Sequence, residues 1–191
     1  EVMYTVLLDM DGVCCQFVEG LCKQLHCFPY PWKNLGNPSL AKQLGINEHD
    51  IWQRVNMMGS SFWAEIEEYQ WFTSLYKMLQ NKEGVKEIVF LTSPSYDPSS
   101  ACGKLFWLKS RFGRDFTNYV LTSRKELLAS PNVVLIDDLV ANVNAFRKAG
   151  GHAILFPMVW NVTKLIDIPE DRVIFVEAKL YEMEKKGLLN A

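Results

Sequence analysis

The strongest constraint on the fold lies near the start of the chain, where a short apolar run ends on two aspartates and a glycine. Residues 4–13 read Y-T-V-L-L-D-M-D-G-V. A run of this kind predicts a buried β-strand, and open α/β sheets place their chemistry at the carboxyl ends of such strands. Asp9 and Asp11 would share one face of an extended strand, and Gly12 gives the backbone the freedom to turn directly afterwards.

Two carboxylates this close together favour a bound cation, because their like charges repel each other without one. Mg²⁺ fits the pair formed by Asp9 and Asp11, since it takes oxygen ligands and prefers one or two carboxylates together with a substrate phosphate. The alternative interpretation is an acidic turn after a core strand, with no ligand. Motifs elsewhere in the chain have to decide between a cation site and an acidic turn.

The composition indicates one principal domain and excludes several kinds of partner. The chain has 191 residues, 49% of them hydrophobic, which is enough for one full core. Its net charge of -2 gives no basic patch for a polynucleotide, although it does not exclude a mononucleotide. No apolar run approaches the roughly 20 residues of a membrane span, so we expect no membrane partner. A homodimer is left open.

Cysteine usage favours a cytoplasmic protein. The five cysteines are odd in number and form no C-x-x-C motif, so we expect reduced thiols that pack in the core. A zinc site at Cys22, His26 and Cys27 would lack a fourth ligand and the usual spacing.

A helical segment rich in aromatic residues follows the first strand. Residues 18–76 carry no strand signal, and prolines and glycines divide them into short pieces. Within this segment Asn47 predicts the start of a helix whose apolar residues recur at helical spacing. We therefore predict a small helical cap, residues 18–76, inserted into an α/β catalytic core formed by residues 1–17 and 77–191.

Beyond the cap, apolar runs alternate with stretches of helical periodicity. Strands are predicted at residues 85–91, 119–121, 132–136 and 152–156, and helices at residues 70–80, 99–113 and 142–149. A further short strand is predicted at residues 173–176, ahead of a C-terminal helix. This alternation predicts right-handed crossovers and an α/β fold, a Rossmann-like doubly wound parallel sheet with the helical cap after its first strand.

Polar residues follow the predicted strands at the points where they end, and a parallel sheet brings these ends to one edge. They are Asp9 and Asp11, Thr92 and Ser93, Lys125, and Asp137 and Asp138. Carboxylates for a metal, hydroxyl and ammonium donors for phosphate oxygens, and a carboxylate free to attack are what phosphoryl transfer requires. Each group alone could be a turn, a helix cap or a surface lysine. Together, in this order, they predict one site.

The order D-x-D-G, T-S, K and D-D resembles the four motifs of the haloacid dehalogenase-like phosphatase superfamily, over residues 4–138. L-L-D-M-D-G-V followed by Phe17, then F-L-T-S-P, and the stretch from F-G-R-D-F through V-L-T-S-R-K to L-I-D-D are similar to the 5'(3')-deoxyribonucleotidases. That family also has a helical cap with an aromatic pair, which Phe62 and Trp63 match here.

The resemblance implies a role for each matching acidic residue. Asp9 would be the nucleophile that forms an aspartyl-phosphate, and Asp11 the general acid and then the general base. Asp9, the backbone carbonyl of Asp11, and Asp138 would hold Mg²⁺. Asp138 would be the direct ligand and Asp137 would hold the surrounding groups in place, although the sequence hardly distinguishes the roles of these two neighbours.

The resemblance also implies the groups that bind substrate. Thr92 and Ser93 would hold phosphate oxygens, and Lys125 would neutralise the charge of the phosphate and of the transition state. The aromatic residues expected to stack on a base are Phe17, Phe62 and Trp63, whereas Trp52, Trp71 and Phe72 are assigned to the core.

These motifs predict a Mg²⁺-dependent phosphomonoesterase, a 5'(3')-deoxyribonucleotidase that hydrolyses (deoxy)nucleoside monophosphates to nucleoside and phosphate. A related phosphatase for another small phosphate ester is one alternative, because caps vary while the motifs persist. A phospho-accepting receiver domain is another, since it also places clustered Asp, Thr or Ser, and Lys on a parallel sheet. The long helical insertion after the first strand argues against a receiver.

Overall fold

The computed structural model describes residues 3–189, so residues 1, 2, 190 and 191 of the predicted core lie outside the described part. Its strands are β1 (Tyr4–Leu8), β2 (Val85–Thr92), β3 (Tyr119–Leu121), β4 (Val133–Asp137) and β5 (His152–Leu155). They form one parallel sheet in the order β3-β2-β1-β4-β5. The strand order reverses direction at β1, and open α/β sheets bind ligands in the crevice at the carboxyl ends of such a reversal.

Helices cover both faces of the sheet. They are α1 (Phe17–Gln24), α2 (Leu40–Leu44), α3 (Glu48–Ala64), α4 (Phe72–Asn81), α5 (Pro98–Phe112), α6 (Val140–Lys148) and α7 (Arg172–Lys185), with short 3₁₀ helices at Lys125–Leu128 and Leu165–Asp167. None of the helices within residues 3–189 combines the length and apolar character that crossing a bilayer requires.

Strand β1 is buried on both sides, which explains its continuous apolar run. Val6 and Leu8 point into the larger core cluster, which also contains residues of α4, α5 and α7. Leu7 points into the smaller cluster, where it lies with Val143 and Phe146 of α6. The alternation along one strand therefore places apolar side chains in both helical layers, and the predicted α/β class is confirmed.

The helices inserted after β1 make a tight contact with helix α5. Helices α1, α2 and α3 lie between β1 and α4 in the chain, and the predicted cap boundary at residue 76 falls inside α4, which packs against β2. Helix α3 packs along α5 at Gly103. A Cβ at Gly103 would lie 2.3 Å from the carbonyl oxygen of Ser60 and 2.5 Å from the Cβ of Trp63, so only glycine allows this approach.

Local capping explains where the helices begin. The side chain of Asn47 accepts a hydrogen bond from the His49 N–H at 2.8 Å, which starts α3 as predicted. Helix α5 begins one residue earlier than predicted, because Asp97 caps it and Pro98 occupies its first turn.

The strand predicted at residues 173–176 is wrong, since these residues lie in α7. Asp171 caps that helix by accepting hydrogen bonds from the N–H groups of Val173 and Ile174. Val176 and Leu180, four residues apart, are its buried positions. The β-branched residues Val173, Ile174 and Val176 favour a strand. The helical spacing of the buried residues and the capping by Asp171 favour a helix, which is what forms.

Candidate active site

Three buried carboxylates meet at the carboxyl edge of the sheet. Asp9 directly follows β1, Asp137 ends β4 and Asp138 follows it, and one carboxylate oxygen of each lies within 4.8 Å of the others. Gly12 makes this approach possible, because it has a φ of +78° and a Cβ there would lie 2.1 Å from Asp138 Oδ2. The D-x-D-G glycine therefore serves both the turn and the close approach of a second motif.

Lys125 forms ion pairs with two of these three carboxylates. Its Nζ is 2.7 Å from Asp9 Oδ1 and 2.7 Å from Asp137 Oδ2, and the side chain is buried. The carboxylate of Asp137 also accepts hydrogen bonds from the N–H of Leu139 at 2.8 Å and from Asn142 Nδ2 at 3.0 Å. Both oxygens of Asp137 are thus engaged by protein donors, which leaves it less suited than its neighbours to bind a metal directly.

Asp138 is held differently. Its Oδ2 accepts a hydrogen bond from Trp160 Nε1 at 2.6 Å, and its backbone carbonyl accepts one from Asn161 Nδ2 at 2.7 Å. Its other carboxylate oxygen accepts no hydrogen bond from the residues that the structure describes. This arrangement favours Asp138 over Asp137 as a direct metal ligand.

The buried cluster contains three carboxyl groups and one ammonium group, so it carries a surplus of negative charge when all of them are ionised. Burial, followed by repulsion from Asp137, raises the pKa of Asp9 to about 7. Burial and repulsion from Asp9 raise the pKa of Asp138 well above its usual value. Burial alone would lower the pKa of Lys125, but Asp9 and Asp137 outweigh it and raise that pKa. A divalent cation would offset the surplus charge, and the carboxylate donor set fits Mg²⁺.

The side chain of Asp11 belongs to a neighbouring cluster. It forms an ion pair with the buried Lys104, and its Oδ1 accepts a hydrogen bond from the thiol of Cys15 at 3.3 Å. Lys104 Nζ also donates to Thr92 Oγ1 at 2.8 Å. The candidate general acid is therefore joined through one ammonium group to the threonine at the end of β2.

Sequence analysis missed Lys104, although its position in α5 carries a signal. The buried residues of that helix are Ser100, Gly103, Lys104, Trp107 and Leu108, which follow helical spacing. A lysine on this buried face needs a compensating partner, and that need points towards the acidic site. Its Nζ also lies 5.0 Å from the ring centroid of Trp63 in α3.

The two hydroxyls that follow β2 have different surroundings. Thr92 is buried and accepts from Lys104, whereas Ser93 lines the cavity above the carboxylates. The Ser93 hydroxyl donates to the backbone carbonyl of Thr122 at 3.1 Å. This contact ties the end of β2 to the end of β3.

A cavity of about 660 Å³ opens above the carboxylates, and aromatic residues form much of its wall. The ring of Phe17 stacks on Trp63 at 5.3 Å and on Trp52 at 6.1 Å, measured between centroids. Phe62, which was also expected to stack on a base, is not among the residues that line this cavity and packs edge-on against Phe17 and Trp63. Trp52, which sequence analysis assigned to the core, lines the cavity.

Trp160 and Trp32 also line the cavity, and sequence analysis missed both. Trp160 follows β5, so it lies at the same edge of the sheet as the acidic residues. That position after a strand end is the signal that could have identified it. Trp32 lies in the irregular segment between α1 and α2, where periodicity gives no information.

The fold is similar to solved haloacid dehalogenase-like hydrolases over most of its length. A family member from Streptococcus pneumoniae is 13% identical with a TM-score of 0.52, and the match covers 93% of this chain and 99% of that one. A HAD family hydrolase from Deinococcus radiodurans, solved with bound phosphate and sodium, is 14% identical with a TM-score of 0.53, covering 100% and 99%. A member from Xanthomonas campestris is 13% identical with a TM-score of 0.55, covering 97% and 95%.

No family model and no curated protein matches the sequence. At these identities the structural likeness shows the fold, which is that of haloacid dehalogenase-like hydrolases.

Proposed function

We propose that this chain is a Mg²⁺-dependent phosphomonoesterase of the haloacid dehalogenase-like superfamily. The observation that carries the proposal is the meeting of three carboxylates, Asp9, Asp137 and Asp138, beside the cavity, with Lys125 paired to Asp9 and Asp137. The phosphate bound to the similar hydrolase from Deinococcus radiodurans supports a phosphate ester as substrate.

The proposed reaction uses the two carboxylates of the D-x-D-G motif in turn. Asp9 attacks the phosphorus atom and forms an aspartyl-phosphate while the bond from phosphorus to the leaving oxygen breaks. Asp11 gives a proton to that oxygen, and then takes one from the water that attacks the aspartyl-phosphate. Inorganic phosphate leaves and the carboxylate of Asp9 is restored.

The remaining groups balance charge and hold the phosphate. Asp9, Asp138 and the backbone carbonyl of Asp11 are the proposed ligands of Mg²⁺, which supplies positive charge beside the phosphate oxygens. Lys125 neutralises charge that develops in the transition state, and Ser93, which lines the cavity, binds phosphate oxygens. Thr92 was expected to share this role, but it is buried and accepts a hydrogen bond from Lys104, so its proposed role is to hold that lysine.

The proposed substrate is a nucleoside monophosphate, with a 5'(3')-deoxyribonucleotidase activity as the most specific form of the proposal. A cavity of about 660 Å³ has room for more than a phosphate group. The stacked rings of Phe17, Trp52 and Trp63 offer flat apolar surfaces on which a base can stack. A second candidate substrate is another phosphate ester with a flat apolar group, which the same wall would accept.

Phosphate release from a panel of esters tests both levels of the proposal. The panel contains ribo- and deoxyribonucleoside 5'- and 3'-monophosphates, sugar phosphates and p-nitrophenyl phosphate, each with and without Mg²⁺. We expect Mg²⁺-dependent turnover with a preference for deoxyribonucleotides. A preference for sugar phosphates would contradict the nucleotidase, and an absence of release from every ester would contradict the phosphatase.

Asp9→Asn is the matched control, because it removes the nucleophile without changing side-chain volume. We expect it to abolish turnover while the far-ultraviolet circular dichroism spectrum stays unchanged. Substantial residual turnover would contradict the assignment of Asp9. A lasting aspartyl-phosphate in the wild-type chain would favour a receiver domain instead.

A further inference from the structure

We propose that Trp160 is a positioning residue that fixes Asp138 for binding Mg²⁺ through a single oxygen, an inference that rests on the proposed metal site. The indole Nε1–H of Trp160 donates to Asp138 Oδ2 at 2.6 Å. Both side chains are buried, with exposed fractions of 4% for Trp160 and 5% for Asp138. A buried donor at this distance holds the carboxylate in one orientation.

The residue after Trp160 fixes the backbone of Asp138. Asn161 Nδ2 donates to the carbonyl oxygens of Asp138 and Phe156, each at 2.7 Å, and Asn161 Oδ1 accepts from the N–H of Met158 at 3.0 Å. Consecutive residues of the segment after β5 thus hold the side chain and the main chain of one candidate ligand. Packing alone would not require hydrogen bonds to both the side chain and the main chain of Asp138.

The cap holds Trp160 in place from the other side. The rings of Trp32 and Trp160 lie 5.4 Å apart between centroids. Trp32 is fixed in turn, because its Nε1–H is shared between the carbonyl oxygens of Asn34 at 3.1 Å and Asn37 at 3.2 Å. Both indoles line the cavity, so a substrate in the cavity would contact the residue that orients the metal ligand.

The hydrogen bond from Trp160 also makes the two carboxylate oxygens of Asp138 unequal as ligands for a cation. Its Oδ2 accepts the hydrogen bond from Trp160, whereas Oδ1 accepts none from the described residues. Asp138 would therefore bind the ion through Oδ1. Binding through one oxygen suits the octahedral geometry of Mg²⁺, whereas Ca²⁺ accepts carboxylates through both oxygens. We infer that Trp160 favours Mg²⁺ over Ca²⁺.

Isothermal titration of the whole chain with Mg²⁺ and with Ca²⁺ tests the proposal without relying on activity. Trp160→Phe keeps an aromatic ring and removes the donor. We expect its Mg²⁺ affinity to fall by about 10- to 100-fold, with a smaller loss for Ca²⁺. The matched control is Trp107→Phe, which removes another buried indole donor, to the carbonyl of Ile66, away from the carboxylates. We expect the control to lose stability but to keep its metal affinities.

The outcomes separate this inference from the proposed function. Wild-type affinity for Mg²⁺ in Trp160→Phe, or equal losses for both ions, would overturn the role of Trp160 and leave the phosphatase intact. A wild-type chain that binds no Mg²⁺ would overturn the metal site and this inference together, whatever phosphate release shows.

A measurement on the wild-type chain keeps the proposal testable if Trp160→Phe does not fold. The indole N–H resonances are followed by NMR during a Mg²⁺ titration, with Trp160 assigned through its contact with Trp32. We expect the Trp160 resonance to shift at saturation and the Trp107 resonance to stay in place. Mg²⁺ binding without a shift of the Trp160 resonance would overturn the proposal.

Discussion

Lys125 Nζ lies 2.7 Å from Asp9 Oδ1, so the candidate nucleophile is paired with a buried ammonium group. The same Nζ lies 2.7 Å from Asp137 Oδ2. One lysine thus connects the ends of β1 and β4, which are neighbours in the sheet. The pairing balances part of the charge that these aspartates bring together, so we expect this lysine to stabilise the fold.

Lys125→Met should destabilise the metal-free protein by about 3–5 kcal/mol, because it leaves buried carboxylates without their partner. Urea unfolding with and without Mg²⁺ measures the effect, and we expect Mg²⁺ to reduce the loss. Lys23→Met is the matched control, since the ion pair of Lys23 with Glu67 is exposed and should contribute no more than about 1 kcal/mol. Equal losses in the two variants would contradict the buried pairing.

The stability of the metal-free protein should fall as pH rises from about 4 to about 7. Burial, followed by repulsion from Asp137, raises the pKa of Asp9 from 3.8 to about 7. Between these values the folded protein binds more protons than the unfolded chain, so the free energy of unfolding decreases with pH. Urea unfolding at several pH values measures this slope. Asp9→Asn should flatten it, and an equal slope in the variant would exclude Asp9 as its source.

Mg²⁺ should reverse the effect of pH, because it binds the ionised carboxylates. We expect the melting temperature to rise more on addition of Mg²⁺ at about pH 8 than at about pH 5.5. Differential scanning fluorimetry over a range of Mg²⁺ concentrations measures the gain. A gain that is independent of pH would place the bound ion away from these carboxylates.

Lys104→Met should slow the hydrolysis of nucleoside monophosphates by at least about tenfold more than that of p-nitrophenyl phosphate. The reason is that Lys104 contacts both Asp11 and Thr92, and a displaced general acid matters most when the leaving group is poor. Steady-state kinetics on both esters measure the ratio. Lys109→Met on the same helix is the control, and a similar ratio in both variants would argue against a role through Asp11.

Trp52→Ala should raise KM for nucleoside monophosphates and leave KM for a sugar phosphate unchanged. Trp52 stacks on Phe17 at the cavity wall, and loss of one aromatic surface costs a stacked base about 1–3 kcal/mol. The phosphate esters without a base serve as the control within the same variant. An equal rise of KM for both kinds of ester would assign Trp52 to packing alone.

The central strands β1 and β4 were well predicted because they are almost completely buried and end on polar residues. The run through Val6, Leu7 and Leu8 permits few other structures, and the acidic residues after it mark a strand end. Residues 173–176 were wrongly predicted as a strand, because most of them are β-branched. The capping of α7 by Asp171 shows that they belong to a helix.

The supporting residues were harder to predict, because their partners are distant in the chain. Lys104 reaches Asp11 across the α5–sheet contact, and Trp160 reaches Asp138 from the segment after β5. Local periodicity describes the element that carries each side chain and says nothing about which neighbour it meets. Trp52 shows the reverse difficulty. It was assigned to the core because an amphipathic helix must bury apolar residues, and it does pack against the core cluster, but it also lines the cavity.

The glycine contact between α3 and α5 constrains how this scaffold can be redesigned. With 2.3 Å between a hypothetical Gly103 Cβ and the Ser60 carbonyl oxygen, no larger residue fits without separating the two helices. A different insertion after β1 would have to approach Gly103 equally closely. Otherwise it would leave a cavity beside Lys104. New substrate ranges are therefore best sought by varying cavity residues such as Asn37 and Ser39 between α1 and α2, while Trp32, which packs on Trp160, and the contact between α3 and α5 are kept.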